Sequence, residues 1–299
     1  MNLKAIIEYN KEQAKVYEWT PQWFGAFMFD ANLVQKIKDF QKSEGLTDDG
    51  MCGPSTYRRM WTHRESMESE KYRSPLIKNG EKFIVHNGNP YPIKWHKVVL
   101  WSDDNGLPCR SYSKRGGRED RNPTMFVNHW DVCLSSKSCA KVLNKRGLSV
   151  HFLIDNDGTI FQCMDTQHIA YHAGKYNQYS IGVEISCAYS LKYQSWYQKR
   201  GFGTRPIMEG VKVHGKTLKP FLGFYHAQLE ALAALWEVIN RACPEISLAT
   251  PEEKDTVSKE IAAHKFNGFC SHFHLTKGKI DVAGVDLDEI KNKAIKIRG

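Results

Sequence analysis

The chain has 299 residues, 41% of them hydrophobic and 12% aromatic, enough for one large domain or a large and a small one. Its formal net charge of +9, from 42 Lys and Arg against 33 Asp and Glu, points to an anionic partner, either nucleic acid or a cell envelope. The basic residues are dispersed, with small concentrations at 110–121 and 291–298, and no helix-turn-helix or RNA-binding signature accompanies them, which argues against nucleic acid.

No stretch approaches the roughly 18 apolar residues of a membrane span. Residues Met1–Glu8 lack the apolar run and small-residue cleavage site of a signal peptide. The expectation is a protein made in a cytoplasm, without membrane insertion. Eight cysteines are scattered with no Cys-x-x-Cys pair, so reduced, buried thiols are expected rather than a zinc ribbon or redox motif.

In chain order, Val34, Ile37, Phe40 and Gln41 sit at helical spacing, followed by Leu46 and the string Asp48-Asp49-Gly50-Met51-Cys52-Gly53-Pro54-Ser55-Thr56. Its glycines suit a tight turn, and Ser55 or Thr56 is a candidate cap for a second helix at Tyr57–Trp61. Residues 31–61 thereby resemble the small three-helix peptidoglycan-binding domain, with Cys52 in place of its usual aromatic or aliphatic residue. This gives a helical domain over 1–64, a charged linker over 65–80 and a second domain over 81–299.

From Lys82 the pattern turns to strands: Phe83–Val85, an Asn87-Gly88 turn, then Tyr91–Trp101. Residues 103–122 read as an exposed polar loop. A strand at Thr124–Asn128, a helix at Ser136–Lys145 and strands at Val150–Ile154 and Thr159–Cys163 follow, then a buried strand at Ser180–Ile185 carrying Glu184. Leu229, Leu232, Leu235, Trp236 and Ile239 mark an amphipathic helix. The fold class is α/β, a central mixed sheet flanked by helices, with the small helical domain before it.

Two patches carry candidate chemistry. Phe126-Val127-Asn128-His129 is an apolar strand ending in a histidine, and Ser271-His272-Phe273-His274 lies ahead of Lys279-Ile280-Asp281. Together they offer His, His and Asp to one zinc ion, leaving a fourth position open, as catalytic rather than structural zinc sites do. The residues alone leave His272 and His274 as rival ligands.

Between these patches lie His151-Phe152-Leu153-Ile154-Asp155, Ala170-Tyr171-His172-Ala173-Gly174 and Ser180-Ile181-Gly182-Val183-Glu184. This order of segments, over about residues 124–285, resembles the type-2 N-acetylmuramoyl-L-alanine amidases, which include amidase-type phage lysozymes and peptidoglycan recognition proteins. The resemblance implies zinc ligands at His129, His272 and Asp281. It also implies a catalytic glutamate at Glu184, an oxyanion-stabilising Lys279, and His172 lining the substrate groove. His274 departs from the family's usual Gly-His-x-Asp, and the seven residues from His272 to Lys279 suit the family spacing better than the five from His274. Val282-Ala283-Gly284 replaces the common Pro-Gly, and His151 and His264 are expected to be structural or exposed.

An amide is a poor electrophile and neutral water a poor nucleophile, so the implied reaction needs a Lewis acid and a proton shuttle. The expected activity is zinc-dependent cleavage between N-acetylmuramic acid and L-alanine of bacterial peptidoglycan, by a monomeric phage endolysin or virion-associated lysin. It would act from the host cytoplasm or a virion. The alternatives are a non-catalytic wall-binding or phage structural protein and a zinc endopeptidase of the stem peptide. Residues 187–223 depart from the compact family members. Their aromatics Tyr189, Tyr193, Trp196, Tyr197, Phe202 and Phe221, interleaved with Lys192, Lys199, Arg200 and Arg205, suit either a glycan-facing loop or a self-packed insertion.

Overall fold

The computed structural model describes residues 2–68, 80–113 and 121–299. The chain divides into two compact units, Met1–Glu70 and Lys71–Gly299. Most of the expected linker, and part of the expected polar loop and of the basic concentration at 110–121, lie outside the described residues.

The first unit's described residues hold three α-helices, α1 (Leu3–Tyr17), α2 (Ala31–Ser43) and α3 (Pro54–Met67). Asp30 caps α2, its side chain accepting from Leu33 N at 3.0 Å. The Gly50–Thr56 string winds around two buried amides. Asn10 Nδ2 donates to Gly50 O and its Oδ1 accepts from Cys52 N. Gln41 Oε1 accepts from Gly50 N, and its Nε2 donates to Asp49 Oδ1, Met51 O and Thr56 Oγ1. Gly50 has φ 78°, and a Cβ there would come within 2.7 Å of Val34.

Two expectations need correction here. The cap of α3 is Gly53 followed by Pro54, whose missing N–H costs nothing in a first helical turn, so Ser55 and Thr56 lie inside the helix. That helix also runs on to Met67, so residues 65–67 are helical rather than linker.

In the second unit, a hairpin of Phe83–His86 and Asn89–Pro92 precedes a six-stranded sheet. The sheet strands are β1 (Val98–Leu100), β2 (Met125–Trp130), β3 (Phe152–Ile154), β4 (Ile160–Gln162), β5 (Ser180–Ile185) and β6 (Gly268–Ser271). Their order is β6-β2-β5-β3-β4-β1, parallel throughout except for the antiparallel β3–β4 pair. The sheet is therefore mixed, as expected. The expected strand over Tyr91–Trp101 breaks into two pieces in different sheets, and β3 and β4 are shorter than their apolar runs.

Alternation in β2 and β5 separates two faces. Phe126, Trp130, Ile181, Val183 and Ile185 join the main core with helix α6 (His226–Ala242), whose Trp236 stacks on Phe269 at 4.3 Å. Trp236 Nε1 donates to Asn128 Oδ1, and Asn128 Nδ2 donates to Cys270 O, satisfying polar groups that burial would otherwise penalise. Helix α4 (Ser136–Lys145) matches its expected bounds, while α5 (Gln194–Lys199) lies in the insertion. A short α7 (Lys259–Ala262) leads toward β6, and α8 (Leu287–Arg298) is tied to α6 by a Lys293–Glu230 ion pair. Among the described residues no helix is long and apolar enough to cross a membrane. All eight cysteines are buried and none forms a disulfide.

Candidate active site

The face of β2 and β5 opposite α6 carries His129 and Glu184, paired in register on adjacent parallel strands. Position 129 lies inside β2, because the ladder continues through His129↔Glu184 to Trp130↔Ile185. On the other side of β2, strand β6 delivers His272 from its C-terminal end, and the turn after it returns Asp281. A hydrogen bond from Phe273 N to Asp281 O at 2.9 Å holds the two ends of that turn together.

Three potential ligand atoms converge there. His129 Nδ1 and His272 Nδ1 are 2.9 Å apart, and Asp281 Oδ2 lies 3.2 Å from the first and 2.9 Å from the second. A tetrahedral zinc ion with bonds of about 2.0–2.1 Å separates its ligand atoms by about 3.3 Å, so this triangle fits after slight expansion. His274, the rival, is turned away. Its Nδ1 accepts from Ser271 N at 3.0 Å, and its Nε2 lies 2.8 Å from Glu253 O.

The proton chain behind His129 fixes its tautomer. Ser180 Oγ donates to Tyr176 O at 2.8 Å, so toward His172 Nε2, 3.3 Å away, it can only accept. His172 Nε2 therefore carries the proton and its Nδ1 accepts from His129 Nε2 at 3.0 Å. This leaves His129 Nδ1, the atom facing Asp281 and His272, with a free lone pair. Gly182 makes the chain sterically feasible. A Cβ at that position would lie 2.5 Å from the His172 ring.

Burial pushes His129 down to about 4, reinforced by the neighbouring His272, so the ring is neutral at pH 7. Burial alone would raise Asp281, but the His272 and His129 rings outweigh it and hold the carboxyl well below its usual range. A neutral imidazole beside an ionised carboxylate is the protonation state a divalent ion requires of its donors. Lys279 is exposed, two residues before Asp281, and its charge also disfavours protonation of His129.

Several supporting residues carry no sequence signal. Buried Asp131, one residue past β2, accepts from Cys133 N, Cys187 N and Ser186 Oγ, and so ties the ends of β2 and β5 together. Burial pushes its carboxyl up to about 7. Asp131, Cys133 and Cys139 form a second grouping of possible ligands, but both Asp131 oxygens are already taken up by these hydrogen bonds. Buried Arg121 gathers the segments behind the site, donating to Thr166 O, His168 O, Gln178 O and Ser180 O. His151 is buried and structural, its Nδ1 accepting from Gly182 N, and His264 is exposed.

The insertion packs partly on itself and partly into the main core of the second unit, where Tyr189 stacks on Trp130 and Phe221 meets Trp130 edge-on. The Arg205 guanidinium lies between the Tyr197 and Tyr225 rings, 4.1 and 4.2 Å from their centroids, and donates to Gly223 O, Ser186 O, Gln228 Oε1 and Asn156 Oδ1. Tyr193, Trp196, Tyr197 and Phe221 are buried. Buried in the main core, these four side chains are not glycan-facing, and they pack against the body of the unit as well as on one another.

The family model for N-acetylmuramoyl-L-alanine amidase matches residues 119–274, more than half of the chain. The chain belongs to that family, and it is an amidase of this class. The match ends at His274, short of Lys279 and Asp281. A second family model, for a peptidoglycan binding domain, matches residues 28–60 of the first unit. No curated protein matches the chain.

Among solved structures, the enzyme is similar to LysC, an N-acetylmuramoyl-L-alanine amidase from Clostridium intestinale URNW, with 17% identity, 66% of this chain and 96% of that one covered, and a TM-score of 0.38. A selenomethionine AmpD derivative shares 18% identity over 66% and 93% of the two chains, with a TM-score of 0.35. The Ph2119 endolysin of the Thermus scotoductus MAT2119 bacteriophage shares 14% over 66% and 99%, with a TM-score of 0.34.

Proposed function

We propose that the enzyme is a zinc amidase that cleaves the bond between the lactyl group of N-acetylmuramic acid and L-alanine, with His129, His272 and Asp281 holding the ion. The observation that carries this reading is the free Nδ1 lone pair of His129, set by the His172–Ser180 chain and aimed at His272 Nδ1 and Asp281 Oδ2. When bound, the ion would supply Lewis acidity, polarising the amide carbonyl and acidifying water.

Glu184 stands beside His129 on the same sheet face. Its carboxylate would take the proton of the attacking water and pass it to the leaving nitrogen, a role typically worth about 10²–10⁴-fold. The Lys279 ammonium would face the developing oxyanion. His172, expected to line the groove, engages both ring nitrogens with His129 and Ser180, so any substrate contact falls to its ring carbons. The first unit would raise the local concentration of the catalytic unit on the wall. A wall-binding unit joined to an amidase suits a phage lysin, freed at lysis or carried in the virion.

Digestion of purified cell walls, followed by mass spectrometry of the products, tests the reading. Free L-alanine amino termini with intact glycan strands are expected, abolished by chelator and restored by zinc. Glu184→Gln should lose about 10²–10⁴-fold in turnover while retaining one zinc per chain. New termini inside the stem peptide would instead mean an endopeptidase.

A further inference from the structure

The insertion reaches the site along the segment that carries Lys279 and Asp281. Its hairpin of Lys212–Val213 and Lys216–Thr217 turns through His214-Gly215, with φ of 53° and 74°, the left-handed pair that a two-residue hairpin turn demands. His214 Nε2 lies 2.9 Å from the carbonyl oxygen of Lys279, and its Nδ1 lies 3.2 Å from Thr256 Oγ1. A carbonyl only accepts, so Nε2–H donates to Lys279 O, and Nδ1 accepts from the threonine hydroxyl. The same ring sits edge-on to Phe273, 6.3 Å between centroids, and Phe273 is the residue between His272 and His274.

A second contact lies just past Asp281. Met208 and Phe221, from the paired strands Ile207–Met208 and Phe221–Leu222, close over Gly284, where a Cβ would come within 3.1 and 3.2 Å of them. The segment carrying Lys279 and Asp281 is thus gripped on both sides by residues 207–222.

We propose that this arm is a clamp on the metal site, with His214 as a positioning residue that fixes the Lys279–Asp281 segment. It thereby sets the third ligand and the oxyanion-facing lysine. The proposal rests on the zinc reading above. A His214 that merely decorated the surface would need neither the carbonyl of Lys279 nor a threonine holding its tautomer. Outer partners that orient metal ligands typically alter affinity by about 10–100-fold.

The test uses the full-length, zinc-loaded enzyme, with release to a chromophoric chelator followed for wild type, His214→Ala, His214→Gln and His129→Ala. Glutamine keeps an N–H donor and bears the same left-handed backbone cost as alanine, so the Ala–Gln difference isolates the hydrogen bond. His214→Ala should bind zinc about 10-fold more weakly or worse, with kcat reduced more than KM, and His214→Gln should stay much closer to wild type. Should His214→Ala fail to fold, Thr256→Val, which removes only the hydroxyl partner of Nδ1, is expected to weaken zinc in the same direction. Wild-type affinity and release rate in His214→Ala, or equal weakening in Ala and Gln, would overturn the clamp. Zinc retained by His129→Ala would overturn the metal assignment instead.

Discussion

Gly182→Ala is the sharpest perturbation the site offers. In a strand, replacing glycine by alanine ordinarily stabilises by about 0.5–1 kcal/mol through the unfolded chain, and φ at this position raises no objection. Here the new Cβ would stand 2.5 Å from the His172 ring, where ordinary contacts begin near 3.4 Å. The ring must therefore retreat by about 1 Å, and as Nδ1 itself is one of the atoms displaced, its 3.0 Å bond with His129 Nε2 is distorted, to as much as about 4 Å. Overpacking of this kind costs about 1–3 kcal/mol.

The expected result is a net loss of about 1–2 kcal/mol in urea unfolding of the metal-free enzyme. A loss of zinc affinity of about 10-fold or more should accompany it as His129 loses its fixed tautomer. In a His172→Ala background the clash disappears, so the same glycine substitution should be neutral or stabilising there. A double-mutant cycle measures that difference directly. Equal costs in both backgrounds would refute the steric argument and, with it, the reason given for a glycine at this place.

Two other outcomes are expected. Arg205→Ala should cost about 3 kcal/mol or more in urea unfolding, because it strands several buried oxygens and empties the space between Tyr197 and Tyr225; Arg205→Lys should recover only part, lacking the planar fork. Metal-free stability should be greatest between about pH 7 and 8, falling as the pH drops below about 6.5 and again above about 8.5, where the unfolded chain's thiols ionise and the buried ones, raised by burial, do not. Burial depresses His129 and His274 to about 4 and His151 and His172 well below their usual value, so the unfolded chain takes up protons that the folded one refuses; Asp131, raised by burial to about 7, offsets one of the four. Urea midpoints at pH 7.5, 6 and 5 would check the sign, and a midpoint that rises on acidification would contradict it.

The elements most legible in the sequence were those whose pattern reflects burial. Ser136–Lys145 and Ser180–Ile185 declare themselves because one face or the whole strand is apolar. Strand ends were less so, since hydrogen bonding to β5 carries β2 through His129 to Trp130, past where the apolar run stops. Pro54 set the start of α3, outcompeting the two hydroxyl residues after it. The convergence of His129, His272 and Asp281 could be suggested by residue type, yet setting His274 aside required its two backbone partners. Arg121, Asp131 and Arg205 act through bonds to carbonyls and amides scattered along the chain, which leave no period or spacing to read.

The order of the strands has a consequence for synthesis. His129 sits on a strand flanked by β5 and β6, and its partners in the proposed ligand triangle are 143 and 152 residues further along. A ribosome that has delivered everything through β5 has made Glu184, His172 and the first histidine, but not the other two corners. Under the proposed zinc reading, the nascent polypeptide would be chemically silent until β6 docks and its following turn closes. That docking is a long-range parallel pairing, a slow class of folding event.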